Sequence, residues 1–144
     1  MRYLRLSTLW FTICIALTAC NDKPSPETKE YNKLFDEVIA VHDEVMPEMG
    51  KLNTLAEALK KQNDTTRNYQ GILDSLQLSH KAMMDWMKDF SEKFPYGEFD
   101  PKNSEPEELQ AKIEILKEEK TEVYEMRDLM QESIAKAEKQ LDLR

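Results

Sequence analysis

The sequence predicts an all-α protein, an antiparallel up-down-up three-helix bundle with coiled-coil character, preceded by a leader segment. Three observations predict the helical fold. The 144-residue chain has only 3 glycines and is 33% charged, and it lacks the alternating β-branched runs and Asn-Gly turns of strands. Its apolar residues recur at steps of three and four, which places them on one face of a helix. Two such segments mirror each other in spacing, as expected for antiparallel neighbours joined by a short loop.

The leader, residues 1–19, has the order of a secretory signal peptide. Arg2 and Arg5 supply a basic start, an apolar run occupies residues 9–17, and small residues precede Cys20. The apolar run is too short to cross a membrane as a stable helix. We therefore expect the leader to be removed together with the chain's other cysteine, which leaves the mature protein without an internal disulfide.

The end of the leader, Leu17-Thr18-Ala19-Cys20, resembles the lipobox of bacterial lipoproteins. The resemblance implies cleavage before Cys20 and attachment of fatty-acyl chains such as palmitate, which together anchor a protein to a membrane. The alternative is an ordinary signal peptide followed by a stray cysteine. Residues 20–29, which include two prolines, predict a flexible polar tether to a helical domain over residues 30–144.

We expect three helices in that domain, at about residues 29–61, 65–93 and 105–142. The first two should form a hairpin that turns between Gln62 and Asn63, because their apolar positions then pair in every layer. Pro47 lacks a backbone donor, so it should kink or split the first helix near residues 46–50. The paired stripes are Tyr31, Phe35, Val38, His42, Val45, Met49, Leu52, Ala56 and Leu59, and then Tyr69, Leu73, Leu76, His80, Met83, Met87, Phe90 and Phe94.

The third helix opens with Ser104 and Glu107, which have the spacing of a capping box. Its apolar stripe is interrupted at Lys120 and Arg127. Either these cations lie at a helix edge with their aliphatic stems on the core, or the stripe shifts to include Met126. The stripes are narrow, so a homo-oligomer that adds helices remains open. The third stripe comprises Leu109, Ile113, Leu116, Val123, Met130, Ile134, Ala137 and Leu141.

Histidine and methionine form a repeat that opens at each of the two histidines. The hairpin register puts His42 opposite Met83 and His80 opposite Val45, with the imidazoles about 4.5 Å apart along the axis. Imidazole and thioether donors suit Cu(I), and a His/Met pair can also bind haem iron, although no CxxCH motif is present. The alternatives are ordinary core packing and a methionine-lined pocket for an apolar ligand or a partner helix. The candidate metal ligands are His42, Met46, Met49, His80, Met83, Met84 and Met87.

Several function classes have no support in the sequence. The net charge is −8 and the leader's two arginines are lost on cleavage, so the acidic mature surface repels nucleic acid and anionic lipid. There is no glycine-rich phosphate loop and no hydrolase or zinc-protease motif. The acidic pairs have the spacing of solvated helix faces with lysine partners. We therefore expect a protein that is not an enzyme and carries no cofactor, with Cu(I) as the alternative.

The segments His42-Asp43-Glu44-Val45-Met46-Pro47-Glu48-Met49-Gly50 and His80-Lys81-Ala82-Met83-Met84-Asp85-Trp86-Met87 resemble a group of small lipoproteins from Bacteroidota. These often carry the label "viral A-type inclusion protein". The label reflects a coiled-coil match and says nothing about function. The resemblance implies that the protein is located in the bacterial cell envelope. Because Asn21-Asp22-Lys23 is not strongly acidic, we expect the periplasmic face of the outer membrane.

Two functions of different classes follow from these patterns. The first is a non-enzymatic envelope lipoprotein, a scaffold or interaction module with a protein partner or a second copy. The second is a periplasmic copper-binding or haem-binding protein that uses the histidine and methionine repeat.

Overall fold

The structure is a computed structural model that describes residues 23–62 and 69–142. Within these ranges the secondary structure is helical and no strand is present. None of the helices there is long and apolar enough to cross a membrane. The signal peptide, Cys20 and the predicted turn at Asn63 lie outside the described residues. The helices are α1 (Pro26–Val45), α2 (Met49–Lys60), α3 (Gln70–Lys93) and α4 (Pro106–Asp142).

The first predicted helix is divided as Pro47 leads one to expect. One turn of 3-10 helix, Met46–Glu48, separates α1 from α2, because a proline inside a helix removes an amide donor and crowds the preceding turn. The start of α1 differs from the expectation. Ser25 Oγ accepts a hydrogen bond from Thr28 N at 3.0 Å, and Pro26 occupies the first turn, so the helix includes residues that were expected to belong to the tether.

α3 ends at Lys93, as expected for the second helix, and α4 is helical as far as Asp142, the last described residue. α3 begins at Gln70, and the predicted start near residue 65 lies outside the described residues. The capping box predicted at the start of α4 is wrong, because the Ser104 hydroxyl has no hydrogen-bond partner. The first helical hydrogen bond instead runs from Leu109 N to Glu105 O. Pro106 lacks an N–H and suits the first helical position, which places the cap at Glu105.

The four helices surround one hydrophobic core in which the strictest pattern repeats every seven residues. Along α1 and α2 the repeat is Tyr31, Val38, Val45, Leu52 and Leu59, and along α4 it is Leu109, Leu116, Val123, Met130 and Ala137, all buried. A seven-residue repeat keeps one stripe facing the same neighbour along paired helices. The described part of the chain therefore packs as a helical bundle.

The buried face of α1 and α2 is wider than the sequence predicted. Leu34, Val41 and Leu55 are buried although they lie outside the predicted stripe. The stripe described the side that meets α3, whereas each of these helices also packs along α4. A helix inside a bundle touches two neighbours, so its apolar face must cover both.

Polar pairs line the contact of α1 and α2 with α4 at a constant separation of 87 positions. The pairs recur every seven residues, and the last of them follows the Pro47 break. The 3-10 turn therefore leaves the register with α4 unchanged. The four pairs are Glu30–Lys117 at 3.3 Å, Glu37–Tyr124 at 3.3 Å, Glu44–Gln131 at 3.4 Å and Lys51–Glu138 at 2.8 Å.

The interruption of the α4 stripe combines the two expected explanations, cations at the helix edge and a stripe that includes Met126. Lys120 lies at the helix edge, where its Nζ is 2.8 Å from Glu37 Oε1. The Arg127 guanidinium lies 4.6 Å from the centre of the Tyr124 ring. Met126 is buried in the core. The cations therefore stay at the surface while the stripe includes the neighbouring methionine.

Buried polar groups join α3 to α4, and the sequence pattern did not reveal them. The hydroxyls of Ser79 and Ser133 are 2.9 Å apart. Glu119 is fully buried, and its Oε1 accepts a hydrogen bond from Lys93 Nζ at 2.5 Å. The other oxygen, Oε2, is buried without a partner. Its carboxylate therefore depends on Lys93, since a buried charge is costly unless it is paired.

We predict that Lys93→Met lowers the free energy of unfolding by about 1–3 kcal/mol, because it leaves a buried carboxylate without its cation. The Lys93 side chain is 40% exposed, which keeps the effect below that of a fully buried pair. Lys88→Met, at a lysine 72% exposed on the same helix, should change it by less than about 0.5 kcal/mol. Urea denaturation of both variants measures this difference.

The pH dependence gives an independent check on the same pair. The hydrogen bond that Lys93 Nζ donates to Glu119 raises the pKa of Lys93 above the ordinary lysine value of 10.5. The stabilisation is therefore complete at neutral pH and is lost as the pH rises through the raised pKa. The wild type and Lys93→Met should converge in strongly alkaline solution. Equal stabilities at pH 7 would show that Lys93 contributes nothing.

Candidate functional site

The contact between α1 and α3 consists largely of aromatic rings. The backbones of these two helices lie further from each other than from α4, and large side chains fill the space between them. Tyr31–Phe94 and Phe35–Phe90, with ring centres 6.5 Å and 5.7 Å apart, are pairs that the predicted register matches. We call this contact the aromatic seam. Its rings are Tyr31, Phe35, His42, Trp86, Phe90, Phe94 and Phe99.

His42 ends the aromatic seam at the side nearest the Pro47 break. Its ring stacks on Trp86, with centres 5.6 Å apart and planes at 29°. The predicted register placed Met83 at this level, and Trp86 is one helical turn away. Nδ1 of His42 lies 2.9 Å from Asp43 Oδ1. An ionised carboxylate only accepts hydrogen bonds, so Nδ1 donates, and in the neutral ring Nε2 carries the lone pair.

Two ring nitrogens in this stack are buried without hydrogen-bond partners. They are Nε2 of His42 and Nε1 of Trp86. The first is an acceptor in the neutral ring and the second is a donor. Leaving a buried polar atom unsatisfied costs about 1–3 kcal/mol. Such a cost invites an explanation in terms of a ligand, a bound ion or ordered water.

His80 lies in different surroundings from His42. It lines a groove of about 240 Å³ between α2 and α3, together with Leu52 and Ala56. His42 therefore belongs to the contact of α1 with α3, where its ring meets Trp86. His80 belongs to the groove between α2 and α3.

The methionines of the repeat are distributed from the core to the surface. Met83 is fully buried, and Met49 and Met87 are partly buried. Met46 is 41% exposed and Met84 is 50% exposed. Within the described ranges there is no group of three or more His, Cys, Asp or Glu residues arranged to hold a metal ion. A metal held here would therefore depend on thioether and imidazole donors.

Sequence reasoning missed Trp86 as a partner of the site. It stands outside the apolar stripe of α3, yet it is 7% exposed and stacks on both His42 and Phe90. The one available signal was its position in the second histidine and methionine segment. Cys20, the predicted lipidation site, lies outside the described residues.

A larger cavity of about 630 Å³ lies at the end of the bundle where α1 and α4 begin. Lys23 and Lys102 line it together with Glu27. A backbone hydrogen bond and a hydrogen bond from Ser25 hold the pKa of Glu27 below its usual range. The lining therefore carries charges of both signs and presents no single charge to a ligand.

Comparison with known proteins leaves the site to be interpreted from its own geometry. No protein family model matches the chain, and no similar curated protein or solved structure was found.

We predict that His42→Phe stabilises the protein by about 1 kcal/mol. Phenylalanine keeps the stack on Trp86 and removes the buried nitrogen that lacks a partner. His80→Phe is the matched control, because His80 has no unpaired buried nitrogen, and it should gain nothing by this route. Thermal and urea unfolding measure the change. A loss of stability in His42→Phe would show that Nε2 is satisfied in solution.

Proposed function

We propose that the protein is a non-enzymatic lipoprotein of the bacterial envelope whose bundle serves as a scaffold or interaction module. The single observation that carries the proposal is the constant register of α1 and α2 along α4. α4 has 37 residues, which corresponds to a length of about 55 Å. Helices held at one register over such a length form a stiff rod, a shape suited to holding a partner at a distance from a surface.

The proposed arrangement of the rod is up-down-up, with α1 and α2 continuing in one direction. Its support comes from pairs of residue numbers. Along α1 and α2 the partners on α4 rise together with them. Along α3 they fall, since Ser79 meets Ser133 whereas Lys93 meets Glu119. In this arrangement α1 and α4 both begin at the same end of the rod.

The proposed anchor is Cys20, exposed by cleavage of the signal peptide over residues 1–19 and modified with acyl chains. Its support is the lipobox resemblance and the order of the leader. Five residue steps along the chain lead from Cys20 to Ser25, the cap of α1, so the bundle begins within about 18 Å of the anchor. We propose that it stands on the periplasmic face of the outer membrane. The Bacteroidota lipoproteins that share the two quoted segments are its proposed relatives.

The proposed partner is a protein or a second copy of this chain, with nucleic acid excluded by the acidic surface. Support for a contact surface comes from large apolar side chains at the surface of the described residues. These include Met46, Leu78, Met84 and Tyr96. Exposed apolar side chains of this size lose their contact with water when a partner covers them.

We predict that Cys20→Ala abolishes fatty-acid labelling and moves the protein out of the membrane fraction, because the acyl chains would be its anchor. Cys14→Ala is the matched control, since the leader is removed, and it should leave both properties unchanged. Metabolic labelling with a fatty-acid analogue, followed by membrane fractionation, makes the measurement. Continued labelling of Cys20→Ala would contradict the anchor.

We predict a discrete crosslinked product when Met84 is replaced by a photo-reactive amino acid in growing cells. Met84 is one of the large apolar side chains exposed at the surface. Lys136 is the control, because its side chain is 56% exposed and lies near Glu132 on a charged part of α4. Adducts are detected by electrophoresis and mass spectrometry. The absence of an adduct at Met84 above that at Lys136 would contradict a partner at this surface.

A second candidate function is binding of Cu(I), or of haem iron, through the histidine and methionine repeat. The observation that favours it is Nε2 of His42, which is buried without a hydrogen-bond partner. The hydrogen bond of Nδ1 to Asp43 leaves the lone pair of the neutral ring on Nε2. Metal-bound histidines commonly donate their other ring nitrogen to a carboxylate. Titration of the purified protein with Cu(I) against a competing chelator tests this function, and affinity no tighter than micromolar would refute it.

A further inference from the structure

We propose that the metal site contains one histidine, and that His42, Met46 and Met83 bind Cu(I) beside the indole of Trp86. This inference rests on the second candidate function and names its ligands. The sequence indicated a site with two histidines. The structure separates them and puts a tryptophan next to the first.

The nitrogen donor of the proposed site is Nε2 of His42. It is buried and has no protein partner, and the hydrogen bond from Nδ1 to Asp43 fixes the ring's orientation. A carboxylate on the far nitrogen raises the basicity of the ligating one and holds the imidazole in place. His42 is thus already prepared to coordinate a cation, without any rearrangement of its own ring.

The sulfur donors come from the next turn of each helix. Met46 follows His42 by four residues, which leaves it about 40° around α1 and one turn further along. The pairs Phe35–Phe90 and His42–Trp86 show that numbers on α3 fall as those on α1 rise. Met83, three residues before Trp86, is therefore displaced along the axis in the same direction as Met46.

The two methionines differ in exposure in a way that suits binding from solution. Met83 is fully buried and Met46 is 41% exposed. One thioether therefore closes the inner side of the site, while the other lies where an ion arrives. Thioether and imidazole donors are soft, which favours Cu(I) over Zn²⁺, since zinc requires thiolates or further imidazoles.

Trp86 supplies the remaining wall of the site. A cation over the face of an indole is attracted by the ring's quadrupole, and the attraction is greater where water is excluded. Trp86 is 7% exposed. Its stack on His42 places the indole within 5.6 Å of the ligating ring, measured between centres. Copper bound to Nε2 would therefore quench the fluorescence of this residue.

His80 has no part in the proposed site. It lies about 9 Å from the level of Trp86 along α3, and its groove is formed with Leu52, Ala56 and Leu76. That groove offers no second soft donor. His80 and the exposed Met84 therefore provide matched controls for His42 and Met83 within the same protein.

The test is a Cu(I) titration of the protein purified as the cell processes it, with a chromogenic chelator as competitor. His42→Phe and Met83→Leu should each weaken binding by about 10-fold or more. His80→Phe and Met84→Leu should stay within about 2-fold of the wild type, inside the spread expected of a residue that does not touch the metal. Circular dichroism confirms that each variant is folded.

Fluorescence supplies a second readout that a purely structural role would not move. Trp10 lies in the leader, so Trp86 is the only tryptophan after Cys20. Cu(I) should quench the wild type and His80→Phe, whereas His42→Phe should keep its emission at the same copper concentration. Trp86→Phe identifies the source of the signal.

The outcomes separate the site from the function on which it rests. If the wild type binds no Cu(I) more tightly than micromolar, both the metal function and this site are refuted. If His42→Phe and His80→Phe weaken binding equally, metal binding stands and the one-histidine site is wrong. If His42→Phe binds as the wild type does, the site is also wrong.

Discussion

The seven-residue register between α4 and its neighbours is the constraint on which the rest of the structure depends. The polar pairs from Glu30–Lys117 to Lys51–Glu138 repeat at one separation, and the core positions between them are buried at the same interval. Since side chains three and four residues apart share a face, this interval aligns a whole stripe with one partner. Pro47 breaks the helix without disturbing the alignment, because the break adds a turn of 3-10 helix and α2 resumes at the next residue. α4 therefore acts as the spine against which the shorter helices pack.

Buried polar groups restrict which alignment is stable. Apolar stripes alone permit α3 to slide along α4 by one turn with little change in the area buried. A slide would remove Lys93 from Glu119 and separate the hydroxyls of Ser79 and Ser133. Because an unpaired buried carboxylate is costly, the native alignment is favoured even though an apolar replacement of the pair would preserve or increase stability. We interpret the pair as a determinant of register more than of stability.

The sequence revealed the helices and the break more readily than the contacts between them. Spacings of three and four identified the stripe from Tyr31 to Leu59, and Pro47 identified the interruption, because both are local properties of the chain. Leu34, Val41 and Leu55 were missed because one stripe records one neighbour, and α1 and α2 have two. Glu119 was missed since an acidic residue among lysines is normally solvated. The candidate site depended on the stack of Trp86 on His42, a contact between residues three positions away from the predicted pairing, and no local pattern encodes such a contact.

The position of the candidate site within the bundle follows from how the helices pack on α4. α1 and α3 each pack closely on α4, whereas they meet each other mainly through rings. The aromatic seam thus joins two helices whose backbones lie further from each other than from α4, and it holds two of the buried polar atoms that lack a partner. His42 Nε2 and Trp86 Nε1 together lower stability by an amount that a small domain with about 5–15 kcal/mol in total can tolerate. A ligand that pairs with Nε2 would remove part of this loss when it binds. Binding would therefore stabilise the folded protein, and the unpaired nitrogen would contribute to the affinity for the ligand.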